Sequence, residues 1–384
     1  MFIAASLSAV LLLATPVDER PVPLVFYDPA LGGPMPLMGG RGLFALVVRD
    51  LDGDGRPEVA AVDDKTDAVR IAWSAAGPRA TPLTVHGVPP HPLSITAADL
   101  DGDGDVDLAT ASDSGVVAVL RNEGRGRFAP AELFPVDPSA CAIASGDVDR
   151  DGRIDLLTVN YKAGTVSLLR GKKGALAFSR AESFPVCQEP QALAVGDVDG
   201  DRRPEVVVAC GAQDDALVVL SLAEGRLGKP RRYPVGDDPD AVVIADIEGD
   251  GKVDLVATNH ESASVSVLRG QGRGAFAPAQ HFDTGVWPSS LAVADVNGDR
   301  RLDLVVANFK PGTVSVLLSR EEGGFAPQST YLAGPIGAAA EVADMDRDGQ
   351  PDLVVVTSFD AVVLRGLGAG RFESRPRSWP ATPR

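Results

Sequence analysis

An all-β fold, a seven-bladed β-propeller of four-stranded antiparallel blades, is what this sequence predicts, and three observations carry the prediction. Seven acidic loops of one design recur through the 384 residues, their first aspartates separated by 49, 48, 50, 49, 49 and 49 residues. Short apolar runs alternate with turns between them, and Gly and Pro together reach 71 residues, which suits many short strands joined tightly. The residue before the leading aspartate is small in six repeats (Ala98, Gly146, Gly196, Ala245, Ala294 and Ala343), with Arg49 the exception. A fixed period marks a repeat architecture. Small residues are what a strand crowded beside a central channel requires. An open solenoid would need polar capping repeats, and none is visible.

The elements follow in chain order. Residues 2–14 form an uncharged, largely apolar run, followed by Asp18, Glu19 and Arg20. The run is short for a membrane span and reads as the core of an export signal over residues 1–17, with residues 18–384 as one domain and no membrane span in the mature chain. The repeats start near residue 44. In the third, residues 142–148 read as a strand, the acidic loop follows, and residues 155–161 and 165–170 are two more strands. Residues 176–185 make a fourth, more polar strand. Four strands of about six residues with four connections fill the period. Either residues 371–379 or residues 22–27 would supply the outer strand that completes the last blade.

Each loop carries oxygen donors at positions 1, 3, 5 and 9. They are Asp50, Asp52, Asp54 and Glu58; Asp99, Asp101, Asp103 and Asp107; Asp147, Asp149, Asp151 and Asp155; and Asp197, Asp199, Asp201 and Glu205. The fifth to seventh loops supply Asp246, Glu248, Asp250 and Asp254; Asp295, Asn297, Asp299 and Asp303; and Asp344, Asp346, Asp348 and Asp352. Alternating oxygen ligands in a tight loop suit a hard cation of calcium's size, so up to seven Ca2+ ions are expected. The ninth residue heads a strand, unlike the closing residue of an EF-hand loop, which enters a helix. Gly at position 6 permits the turn, and Arg202 and Arg300 replace it in loops four and six. Loops one, two, three and seven are therefore expected to bind best, five less well, and four and six least. Of the 53 acids, 28 lie in these loops, so the net charge of −17 reads as unfilled metal sites.

At this multiplicity and spacing the motif D-x-[DN]-x-D-G-x-x-[DE] resembles the FG-GAP/VCBS repeats of integrin α-subunit propellers and bacterial secreted proteins. The resemblance implies a calcium-binding propeller, of a kind that serves as adhesion head, lectin or appendage of hydrolases and lyases.

Composition narrows the function. No basic stripe interleaved with aromatics supports nucleic-acid binding. Four histidines (His86, His91, His260 and His281) sit in no zinc-protease motif, and nucleophile-elbow and P-loop patterns are absent. Three cysteines, Cys141, Cys187 and Cys210, form no even framework; a Cys141–Cys187 bridge between neighbouring repeats is one arrangement and buried thiols the other. Strand alternation puts the acidic loops on one face. The opposite face receives Tyr161, Lys162, Asn259, His260, Glu261, Trp287, Asn308, Phe309, Lys310, Phe359 and Asp360. Aromatic, amide and charged groups together suit a glycan or protein ligand, with Tyr161, Asn259, His260, Trp287, Asn308 and Phe309 as the candidates. The expectation is a secreted, periplasmic or cell-surface binding or adhesion protein and not an enzyme, the alternatives being a calcium-dependent polysaccharide lyase and a structural scaffold.

Overall fold

The computed structural model describes residues 27–28, 33–34, 36–39, 43–74, 83–173, 177–211, 215–223, 226–358 and 360–374. The proposed export signal, residues 22–26 and Phe359 lie outside them.

Seven antiparallel four-stranded blades follow one another around a closed ring, and the described residues contain no helix. Blade three is representative: an inner strand Ala140–Gly146, a second strand Asp155–Asn160, a third Thr165–Leu169 and an outer strand Glu182–Pro185. Each acidic loop joins an inner to a second strand, and its ninth residue pairs opposite the last residue of the inner strand. Second strands are buried along their whole length because blades cover both of their faces. That explains their continuous Val, Leu and Ala runs. Outer strands such as Glu182–Pro185 expose most of their residues and carry the polar ones.

The core is divided among the junctions between neighbouring blades. Ala241, Val243 and Val256 of blade five, for example, pack with Leu291, Leu304 and Val306 of blade six. The crowding inferred for the inner strands is real. A Cβ on Gly146 would lie 3.0 Å from Val195, and one on Gly196 3.2 Å from Ile244, each on the next blade's inner strand. Arg49, the exception, directs its guanidinium to within 3.9 Å of Glu341 across the junction of blades seven and one.

Leu43, Leu46 and Val48 share a core with Ala339, Val354 and Val356, and Glu341 accepts a hydrogen bond from the Val48 amide at 3.0 Å, so the ring is closed. The fourth strand of blade seven is Pro36–Gly39, paired with Asp360–Leu364. The N-terminal side therefore completes the last blade, but through a segment later than residues 22–27. Tyr27–Asp28 pairs instead with Gly33–Pro34. On the C-terminal side, Phe372 bridges Gly366, and the described residues 371–374 form no outer strand, while residues 375–379 lie outside the described residues.

The cysteine expectation needs correction. Cys187 and Cys210 form a disulfide, while Cys141 is a free, fully buried thiol whose pKa burial pushes up to about 12. The bridge lies within one repeat. It ties the connection entering blade four to the end of that blade's second strand, Glu205–Cys210.

Candidate metal loops and the opposite face

The seven loops share one hydrogen-bond scheme. The position-1 carboxylate accepts the amide of position 6 in every loop, as in Gly55 N to Asp50 at 2.7 Å. The position-5 carboxylate accepts the amide of position 7, as in Arg56 N to Asp54 at 2.8 Å. These bonds wind the backbone around the carboxylates and need positive φ at positions 4 and 6. Gly53 and Gly55 supply it in loop one at 78° and 80°. Arg202 and Arg300 hold φ of 67° and 69°, the strain expected of them. Position 4 is a second such place, one that the position-6 pattern does not reveal, and Arg150 and Arg347 bear the same burden there at 63° and 60° in loops three and seven. Backbone strain thus does not separate loops four and six from loops three and seven.

The ninth carboxylate differs from the others. It is buried in all seven loops. One oxygen accepts the amide of position 2, as in Leu100 N to Asp107 at 2.9 Å. In six blades the other oxygen accepts an amide just beyond the third strand, as in Asn122 N to Asp107 at 2.7 Å. The ninth residue is therefore a brace between loop and sheet as well as a candidate ligand. Burial, aided by neighbouring loop acids and opposed by these hydrogen bonds, pushes Glu58, Asp107, Glu205 and Asp352 up to about 7 and Asp155 to about 6. A bound metal would offset the part of this shift that comes from the neighbouring acids.

Carboxylate oxygens come within 4.8 Å of one another in five loops. The groups are Asp50, Asp52 and Glu58; Asp99, Asp101 and Asp107; Asp147, Asp149 and Asp155; Asp197, Asp199 and Glu205; and Asp344, Asp346 and Asp348. Loop four converges despite Arg202. Among the described residues loops five and six do not. In loop five Glu248 is in direct contact with Arg269. In loop six Asp299 pairs with Arg301 at 2.6 Å and accepts from Asn297 at 3.0 Å. The donors fit a hard divalent cation in the five converging loops, since they are all oxygens and all within reach of one point.

The opposite face gathers the other candidates. Asn259 and Asn308 are fully buried at the ends of second strands. Asn259 donates to Ser264 and Ser266 at 2.9 Å each, and Asn308 to Thr313 at 3.1 Å and Ser315 at 2.8 Å, so these amides staple a hairpin. His260 stacks on Trp287 with ring centroids 5.2 Å apart, and Lys310 Nζ lies 4.0 Å from the centre of the same indole. Asp240, buried and raised to about 6 by burial, accepts from His260 Nδ1 at 2.8 Å. Burial draws the imidazole pKa down, but Asp240 outweighs it and the net shift is upward. The Phe309 amide donates to the Trp287 carbonyl at 2.8 Å. Tyr161 lies apart from this cluster. It borders an open cleft of about 930 Å³ between blades three and four, lined also by Lys162, Val186, Cys187, Glu189 and Arg232. No pattern in the sequence marks this cleft, because it depends on where the connection at residues 185–189 lands.

A family model described as FG-GAP-like repeat matches residues 50–110, 99–158, 147–208, 197–257, 246–306 and 295–355. No curated protein matches the chain. Among solved structures it is similar to BBS1N in complex with ARL6DN, soaked with lead, with a TM-score of 0.62 at 16% identity, covering 94% of this chain and 99% of that one. It is also similar to virginiamycin B lyase from Staphylococcus aureus, with a TM-score of 0.57 at 11% identity, covering 84% and 94%. At these identities the likeness concerns the fold.

Proposed function

The chain belongs to the FG-GAP-like repeat family, and from that premise we propose that it is a secreted, calcium-stabilised binding propeller without catalytic activity. Its protein or glycan ligand would dock on the face opposite the acidic loops. The observation that carries this reading is the division of labour between faces. The loop carboxylates are engaged with their own backbone, whereas the opposite face holds the cleft at Tyr161, Lys162, Glu189 and Arg232. An aromatic edge flanked by both charge signs and an apolar floor at Val186 suits a polar polymer or a peptide segment. The similar BBS1N propeller is in complex with a protein, which favours a protein ligand. The Cys187–Cys210 bridge supports an oxidising compartment, where calcium is also plentiful.

At about 1 mM calcium and a Kd of about 10⁻⁴ M, each occupied loop would contribute about 1.4 kcal/mol. EDTA should therefore lower the melting temperature, and an unchanged melting curve would remove calcium from the proposal. Binding is tested with a glycan array and a pull-down of surface proteins from the producing cell. The Tyr161→Ala/Arg232→Ala variant should lose about tenfold or more in affinity for whatever is captured, with little change in melting temperature. Unchanged affinity would move the ligand away from the cleft.

A further inference from the structure

Continuing the register of second and third strands by one residue, the position facing the ninth loop residue is Trp73, Arg121, Arg170, Ser221, Arg269, Leu318 and Arg365 in blades one to seven, with Ser221 itself paired to Glu205. Its side chain is therefore placed beside the loop. Three of the four arginines reach the position-3 carboxylate of their own loop. Arg170 Nη1 lies 2.6 Å from Asp149, and Arg269 contacts Glu248. Arg365 holds Asp346 at 2.9 Å and the position-5 Asp348 at 3.0 Å. Arg121 turns instead to Glu123 at 3.5 Å, outside its loop. In loops one and four the position holds Trp73, which donates to Thr84, and Ser221. Arg231 lies near Asp199 of loop four but donates Nη1 to the Gly274 carbonyl at 2.8 Å.

We propose that Arg170, Arg269 and Arg365 are internal counter-ions that stand in for a divalent cation in loops three, five and seven, so that cation binding is concentrated in loops one, two and four. A guanidinium in hydrogen-bond contact occupies a lone pair that a metal would take and brings a fixed positive charge to the same carboxylate. It also relieves the same carboxylate repulsion, so a loop with an arginine gains less from a cation. Loop five, with Arg269 on Glu248, does not converge, while loop four converges despite its strained Arg202. Loops three and seven converge, and Arg170 and Arg365 sit on carboxylates of those converging groups, so there the guanidinium competes for a preformed site; in loop six, where Leu318 holds the position, Arg301 pairs with Asp299 instead.

The inference rests on the calcium reading above. It is tested by calcium titration calorimetry on the full chain, with melting curves in EDTA and in calcium. Leu318 shows that leucine is accepted at this position, so Arg170→Leu and Arg365→Leu are the variants. Each should bind one more ion than the wild type, melt lower in EDTA, and recover in calcium. Ser221→Arg should do the reverse, losing one ion and part of the calcium-dependent rise in melting temperature, and it remains informative should an Arg→Leu chain fail to fold. Wild-type occupancy of all seven loops, or a stoichiometry indifferent to these substitutions, would overturn the proposal. No bound ion in any variant would instead sink the calcium reading itself.

Discussion

At the scale of single residues, four acids that look equivalent along a loop perform different tasks. Asp107 is fully buried and satisfies the amides of Leu100 and Asn122, whereas Asp103 is exposed and accepts only within its own loop. A buried amide left without an acceptor costs about 1–3 kcal/mol. In EDTA, Asp107→Ala should therefore lose about 3 kcal/mol or more in chemical denaturation, while Asp103→Ala should stay within about 0.5 kcal/mol of the wild type. In calcium both should lose stability. Equal losses in EDTA would show that the ninth carboxylate is only a ligand. The acids themselves are legible in the sequence, because carboxylates crowded at alternate positions of a tight loop repel one another unless a cation or a donor lies between them. Their unequal burial is not, since it follows from the ninth residue already belonging to a strand covered on both sides. The amide candidates Asn259 and Asn308 show the same limit. A residue at a strand end points into the blade or out of it according to register, and here both point inward to Ser and Thr partners of the next strand.

At the scale of elements, the period of the chain is plain, but one recurring device is hidden from it. A phenylalanine a few residues beyond the third strand meets an aromatic ring on the outer strand of the preceding blade. The pairs are His86–Phe128, Phe134–Phe178, Tyr233–Phe276, Phe282–Phe325 and Tyr331–Phe372, with centroids 5.1–5.5 Å apart and rings nearly perpendicular. The repeated phenylalanine is visible in the sequence. Its partner is not, because it belongs to the neighbouring repeat. Edge-to-face pairs contribute about 0.5–1.5 kcal/mol beyond their buried area. A double-mutant cycle of Tyr233→Leu and Phe276→Leu should thus give a coupling of about 1 kcal/mol. A coupling near zero would reduce the pair to independent apolar fillers at the junction of blades four and five.

At the scale of the whole molecule, a ring of seven separate junctions holds only if it closes, and closure depends on residues distant in sequence. Third strands elsewhere are covered by an outer strand from the same repeat, but Asp360–Leu364 is covered by Pro36–Gly39. The sequence announces two candidate segments without deciding between them, because any short run with extended character can pair with an open edge. What selects the N-terminal side is the spacing. The chain passes from Gly39 directly into the first inner strand, Leu43–Arg49, so blade seven is stitched to blade one by a covalent connection of a few residues. Removing the stitch should act on the whole ring. A chain beginning at residue 41 would leave Asp360–Leu364 as an unpaired edge whose Ala361, Val362 and Leu364 are otherwise fully buried. Exposed apolar edges of this kind pair with other chains. The truncated protein should melt lower than the full chain even in saturating calcium, and light scattering should show oligomers that the full chain does not form. Calcium should not compensate, because the loops join inner to second strands and supply no partner for the open edge of Asp360–Leu364. A truncated chain that stays monomeric with an unchanged melting temperature would mean that Pro36–Gly39 does not close the ring.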